Sequence, residues 1–288
     1  MRGICKQLIG KIKRDAIAVS LTKGMRVRTD GPQLISQMVS KYLNIDCSVL
    51  MGANIAKDIG AEQARRRGVL SEAVIGFASL ENALVLKKLF QTKYFRISLL
   101  PDVAGAEMCG TLKNIVALAA GFVDGLGLGP NSKATIMRQG LIEMRAFSKA
   151  LYPTIRDETF FEPCGMADLI ATCYGGRNRL VAEAFTKAAM AGAPKSFDAL
   201  EAELLNGQKL QGVLTSNEVQ EILKARDWEA DYPLFTTVNR IVSGAVPPSA
   251  VTDFMTVGSE PQEGPAVDAN GIPVAPAKKR TPPLLSST

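Results

Sequence analysis

Residues 103–126, VAGAEMCGTLKNIVALAAGFVDGL, constrain the fold of this chain more than any other stretch. The run is long, rich in small side chains and apolar nearly all round, which predicts a helix buried among other helices. Lys113 interrupts it between Leu112 and Asn114, with Ala106, Cys109, Gly110 and Ala117 at helical spacings on its side. An amine there is poorly solvated. Burial lowers its pKa and is unfavourable unless a carboxylate or a ligand compensates; otherwise the side chain snorkels to water. The residues alone leave both possibilities open.

Ahead of this helix the pattern changes. Apolar positions Ile4, Leu8, Ile9 and Ile12 recur at helical spacing over 4–14. AIAVSL (16–21), CSVLMGANIA (47–56), AVIGFAS (73–79) and YFRISLL (94–100) read as strands. Helical patterns at 32–43, where Pro32 suits a first turn, and at 82–91 separate them. Strands alternating with helices predict βαβ units and a parallel sheet. After Pro101 the periodicity stays helical through 133–151, 177–192, 197–206 and 213–226. The expected fold class is therefore α/β plus all-α. Residues 1–102 form the sheet part, 103–257 the helical part, and 258–288, rich in Pro, Ser and Ala, a disordered tail.

Composition narrows the chemistry. The chain has no histidine, which removes His-based triads, His-ligated zinc and imidazole catalysis. Proton transfer then falls to Lys, Asp, Glu, Tyr or Cys. A net charge of +6 favours anionic ligands. No Lys/Arg stripe is interleaved with aromatics, so nucleic acid is not an expected partner. The five cysteines, Cys5, Cys47, Cys109, Cys164 and Cys173, contain no Cys-x-x-Cys pair. No metal site is expected, and scattered thiols point to a reducing, cytoplasmic compartment. The start, MRGICKQLIGKIKRD, is too polar for a signal peptide. No apolar stretch approaches the ~20 residues of a membrane helix without charge or glycine, so no membrane span is expected.

A second concentration of chemistry lies in ADLIATCYGGRNR (167–179). On a helix, Asp168 and Thr172 share a face at i, i+4. Gly175-Gly176 is expected to break that helix with positive φ. Arg177 and Asn178 then open the next helix, whose free amides and positive dipole end suit an anion, with the guanidinium as a bidentate fork. A solvated helix start is the alternative. Lys23 and Asn54 each follow a strand, where open α/β sheets place their ligand crevice. The glycines of DGLGLGP (124–130) follow a helix rather than a strand, so they are expected to end it rather than cradle a dinucleotide. LLNGQKLQG (204–212) is a polar, glycine-bounded loop whose chemistry indicates no particular role.

Taken in order, SLTKG (20–24), SVLMGANIA (48–56), EMCGTLKNIVALAAGFVDGLG (107–127), CGMADLIATCYGGRNR (164–179), ELLNGQKLQG (203–212) and YPLF (232–235) resemble the NAD-dependent glycerol-3-phosphate dehydrogenases of the eukaryotic cytosolic type. The likeness runs from about residue 3 to 256. It implies an incomplete Rossmann-type parallel sheet, beginning after the family's Gly-rich dinucleotide loop, followed by a helical substrate domain. It also implies NAD as cofactor, dihydroxyacetone phosphate and glycerol 3-phosphate as the phosphorylated substrates, and a homodimer. By motif, Lys113 resembles the catalytic lysine that protonates the carbonyl oxygen. Lys23 resembles a second substrate-contacting lysine, and Asp168 the site acid. Asn114, Thr172, Arg177 and Asn178 resemble substrate contacts, the last two clamping phosphate. Ala56, Lys209, Gln211 and Arg177 resemble cofactor contacts, and Asn54 joins them by its place after a strand. The alternative is a truncated homologue that has lost catalysis and serves as an interaction subunit.

Overall fold

The computed structural model describes residues 1–13, 15–28, 31–55 and 70–255. Ala56 and the 258–288 tail lie outside the described residues. Helix α1 (Arg2–Leu8) is shorter than its periodicity predicts, because the chain turns at Gly10, with φ +74°. Strand β1 (Ala18–Ser20) is followed by a hairpin of β2 (Met25–Arg28) and β3 (Gly31–Leu34), and α2 (Ile35–Leu43) follows directly. The helix expected from residue 32 therefore begins at Ile35, with Pro32 paired opposite Val27 in the hairpin. The cause is distant in sequence. The buried carboxylate of Glu107 accepts the amides of Ile35 (2.6 Å) and Ser36 (3.3 Å), fixing the first turn there.

The main sheet adds β4 (Cys47–Ala53), β5 (Ser71–Gly76) and β6 (Phe95–Leu100), with α3 (Leu80–Phe90) between the last two, in the order β1-β4-β5-β6. β1–β4 and β5–β6 are parallel, as the alternation of strands and helices predicts, whereas β4 and β5 run antiparallel, Val49 opposite Gly76. An antiparallel pair needs no helical crossover, so the alternation does not specify it. β4 is buried on both faces: Val49 and Met51 join the large core, while Leu50 joins Ala73, Ile75 and Leu86 on the α3 side.

After β6 no strand occurs among the described residues. Helix α4 (Val103–Leu126) crosses the sheet and is covered by α5 (Gly129–Leu151), α6 (Asp168–Gly175), α7 (Arg177–Met190), α9 (Gln211–Ala225) and α10 (Pro233–Val242); α8 (Phe197–Leu204) packs on α7. Among the described residues α4 alone is long and apolar enough to cross a membrane, and its whole apolar window is buried inside the protein. Its glycines explain how α7 lies so close. A Cβ on Gly121 would sit 2.4 Å from the Arg179 carbonyl oxygen, and one on Gly125 2.4 Å from Thr186 Cβ. Gly127 ends α4, as expected of the glycines at 124–130, and Gly129 opens α5, both at positive φ. Residues Met1–Phe254 form one compact unit.

Candidate active site

Three segments converge beside the carboxyl end of β4. α4 supplies Lys113 and Asn114, because Gly110, one turn earlier, has no side chain. A Cβ there would meet Met51 Sδ of β4 at 2.7 Å and Lys23 Cγ at 3.6 Å. The loop after β1 supplies Lys23. Gly24 adopts φ +134°, which favours glycine, and its amide donates to Thr111 Oγ1 of α4 at 3.0 Å. A π-helical turn (Pro163–Ala167) runs directly into α6 and brings Asp168 to its first turn, with Thr172 one turn on.

Asp168 is the centre of charge. Lys113 Nζ donates to Asp168 Oδ1 and to Thr172 Oγ1, while Lys23 Nζ donates to Asp168 Oδ2 at 3.0 Å. Lys113 is 4% exposed and Asp168 2%, so Lys113 does not snorkel. Burial, reinforced by the neighbouring charge of Lys23, pushes the Lys113 amine down to about 7 against the opposing pull of Asp168. An ammonium has three N–H donors; with Asp168 and Thr172 as partners, Lys113 retains one for a further acceptor. With Lys113 protonated, two cations on one carboxylate leave the cluster positive.

The adjoining residue on α4 extends the cluster toward α7. Asn178 Nδ2 donates to Asn114 Oδ1 at 2.8 Å, and Asn178 Oδ1 accepts the Gly212 amide of α9 at 2.9 Å. A Cβ on Gly212 would lie 2.8 Å from Asn178 Oδ1 and 2.9 Å from the Asn114 carbonyl, so this junction requires glycine. Arg177, exposed at the start of α7, donates from Nη1 to Gln208 Oε1 at 3.0 Å. Gln208 belongs to the loop whose chemistry the sequence left open, and only this contact gives it a place near the site. Gln211 opens α9 and lines, with Lys23, a cavity of about 450 Å³. Lys209 points elsewhere: it is exposed and donates to Glu201 Oε1 at 2.7 Å, which raises its pKa. Asn54 follows β4 half-buried, and its neighbour Ile55 comes within 3.7 Å of a Cβ placed on Gly175.

One expectation about this region fails. Neither Gly175 nor Gly176 has positive φ; Gly176 is extended at φ −80°, ψ 154°. Its lack of a side chain serves close approach instead, since a Cβ would lie 2.4 Å from the Thr172 carbonyl oxygen. Helix α7 thereby starts immediately after α6 ends.

These features define a class: an α/β sheet joined to a helical body, with a buried lysine–carboxylate pair and a polar helix start near the carboxyl ends of two parallel strands. Comparison with known proteins specifies it further. Residues 102–253 match the family model for the NAD-dependent glycerol-3-phosphate dehydrogenase C-terminus, and residues 1–73 match that for its N-terminus. The chain is 56% identical to glycerol-3-phosphate dehydrogenase [NAD(+)] of Cuphea lanceolata, covering 88% of this chain and 66% of that protein. It is 54% identical to the chloroplastic enzyme of that name from Arabidopsis thaliana, covering 88% and 62%. With the cytoplasmic one from Drosophila melanogaster it shares 47% identity over 86% and 66%. The solved structure of DsGPDH of Dunaliella salina superimposes with a TM-score of 0.83 at 62% identity, covering 88% of this chain and 43% of that one. The chain belongs to the NAD-dependent glycerol-3-phosphate dehydrogenase family, and it spans less than two thirds of the length of these relatives.

Proposed function

We propose that this chain works as an NAD-dependent glycerol-3-phosphate dehydrogenase, interconverting dihydroxyacetone phosphate and glycerol 3-phosphate. The observation that carries this reading is Lys113, buried against Asp168 and Thr172 with its amine held at about 7. An acid–base group of that strength transfers protons efficiently near neutrality. In reduction Lys113 gives its proton to the carbonyl oxygen of dihydroxyacetone phosphate; in oxidation the free amine takes it from the hydroxyl. Asp168 keeps the ammonium from losing its proton to burial alone, and Thr172 directs it. Lys23, on the other oxygen of Asp168, adds positive charge where the substrate oxygen becomes negative. Arg177, Asn178 and the first amides of α7 bind the phosphate, and Asn114 holds Asn178 in place.

NADH, when bound, supplies the hydride. Lys23, which reaches Asp168, and Gln211 line one cavity of about 450 Å³, and the reacting end of NADH would lie there. Gln211, Arg177 and Asn54 are the described residues that would hold it, whereas the Lys209 amine is engaged by Glu201. The family supports the enzymatic reading over an interaction subunit, since the matched relatives bear dehydrogenase names. Residues 1–102 serve as the cofactor part and 103–257 as the substrate part, in a homodimer located, like the Drosophila relative, in the cytoplasm. Light scattering and a fluorescent fusion test the last two points.

Calorimetric titration tests the site itself. Glycerol 3-phosphate binds and glycerol does not, and Arg177→Ala weakens the phosphate ester by about 1.5–3 kcal/mol, the scale of a charged hydrogen bond. Equal binding of the two compounds, or an unchanged Kd in Arg177→Ala, overturns the phosphate assignment.

A further inference from the structure

The Gly175-Gly176 junction carries the substrate residues on both sides yet has no side chains of its own to hold it. What holds it lies behind the site. Asp124, near the end of α4, accepts from Arg179 Nε at 2.6 Å and from Lys133 Nζ of α5 at 2.8 Å, both on Oδ2. Arg179 is the third residue of α7, directly after Arg177 and Asn178, and its Nη2 also reaches Glu183 at 2.7 Å. Lys133 is buried, and its ammonium lies 4.4 Å from the centre of the Tyr174 ring, in the last turn of α6. The residue before the glycines and the residue after the phosphate pair are thus tied to one carboxylate, the first through Lys133 and the second directly.

We infer that Asp124 is a positioning residue, which fixes the α6–α7 junction from behind so that Arg177 and Asn178 meet the substrate phosphate. Asn178 is held at the front by Asn114, and the Arg179 main chain rests on Gly121. With Asp124 neutralised, Arg179 retains Glu183 alone, Lys133 is buried beside a ring without a counter-charge, and the first turn of α7 loses its rear anchor. Asp124 touches neither Lys113 nor Asp168, so it acts on binding rather than on proton transfer. The inference rests on the phosphate site proposed above.

The test compares the full chain with Asp124→Asn, with Arg179→Gln as a milder cut, and with Glu143→Gln as a control. Glu143 is also a buried carboxylate, but it caps α10 through the Leu234 and Phe235 amides. Two readouts are taken on folded protein: the Kd for glycerol 3-phosphate by calorimetry, and hydrogen exchange of the amides at 173–180 without ligand. Asp124→Asn is expected to raise the Kd at least tenfold and the junction exchange by a similar factor. Arg179→Gln does so more weakly, and Glu143→Gln changes neither by more than twofold. Wild-type-like Kd and junction exchange in Asp124→Asn would overturn the inference, as would equal effects in the Glu143→Gln control. If the wild-type chain does not bind glycerol 3-phosphate, the phosphate site itself fails; junction exchange that stays fast only in the Asp124 and Arg179 variants still supports the clamp.

Discussion

Lys113 sits where its protonation and its burial oppose each other, and its pH behaviour follows from that. Reduction of the ketone needs the ammonium and oxidation of the alcohol needs the free amine. With the amine at about 7, kcat/KM for dihydroxyacetone phosphate falls as pH rises through neutrality, and that for glycerol 3-phosphate rises over the same range. Steady-state profiles in both directions check this, and flat profiles across neutrality remove Lys113 from the proton transfer. Stability carries a linked signature. Between about 7 and 10.5 the unfolded chain binds more protons at this lysine than the folded chain, so the contribution of Lys113 to stability rises with pH in that window. In urea melts the wild type therefore gains on Lys113→Met as pH rises from neutrality. The position of this residue was legible as a cation interrupting an apolar helix. Its partner was legible only through the family resemblance, which marks Asp168 as the site acid; no local pattern shows it, because Asp168 lies 55 residues away and only folding brings them together. For Gly175-Gly176 the place of the break was legible but its cause was not: crowding against Thr172, not positive φ, requires the missing side chain at Gly176.

At the scale of elements, remote carboxylates decide where helices begin. Glu107 of α4 caps α2 through the Ile35 and Ser36 amides and the Ser36 hydroxyl (2.5 Å). Burial raises its carboxyl to about 7 from 4.5. Between those values the folded chain binds more protons than the unfolded chain, so this group's contribution to stability falls as pH rises through that window. Glu107→Gln is expected to remove its share of that fall, and Glu107→Ala to cost about 1–3 kcal/mol by leaving buried donors unpaired. Denaturant midpoints measured against pH decide both. No local pattern announces such a cap, which is why helical periodicity placed the start of α2 at Pro32 and hid the β2–β3 hairpin. The α4–α7 contact is the opposite case, since the small, apolar run 103–126 already predicted a helix buried among helices. Gly121→Ala, forced against the Arg179 carbonyl, should destabilise the protein by about 1–3 kcal/mol in the same melts. Wild-type stability in that variant would mean α7 has room to move away.

For the whole molecule, sequence pattern reached the division into strands followed by helices, because buried strands and a helix apolar on all sides leave distinct periodicities. It did not reach the antiparallel pairing of β4 with β5, which depends on backbone direction rather than on which side chains are buried. Nor did it reach the Asp124 cluster, whose members lie on α4, α5, α6 and α7. The proposed function depends on this assembly: α4, α6, α7 and the loop after β1 must converge for one lysine to face a substrate held by its phosphate. The most direct measurement is oxidation of NADH by the purified, folded chain, followed by absorbance with dihydroxyacetone phosphate, with dihydroxyacetone, and in Lys113→Met. Lys113 acting as the acid on a phosphorylated ketone predicts oxidation that depends on that ketone, is not sustained by dihydroxyacetone, and falls by about 10²–10⁴ in Lys113→Met, the range of general acid catalysis. No oxidation with the phosphorylated ketone, or a rate in Lys113→Met equal to that of the wild type, would contradict it.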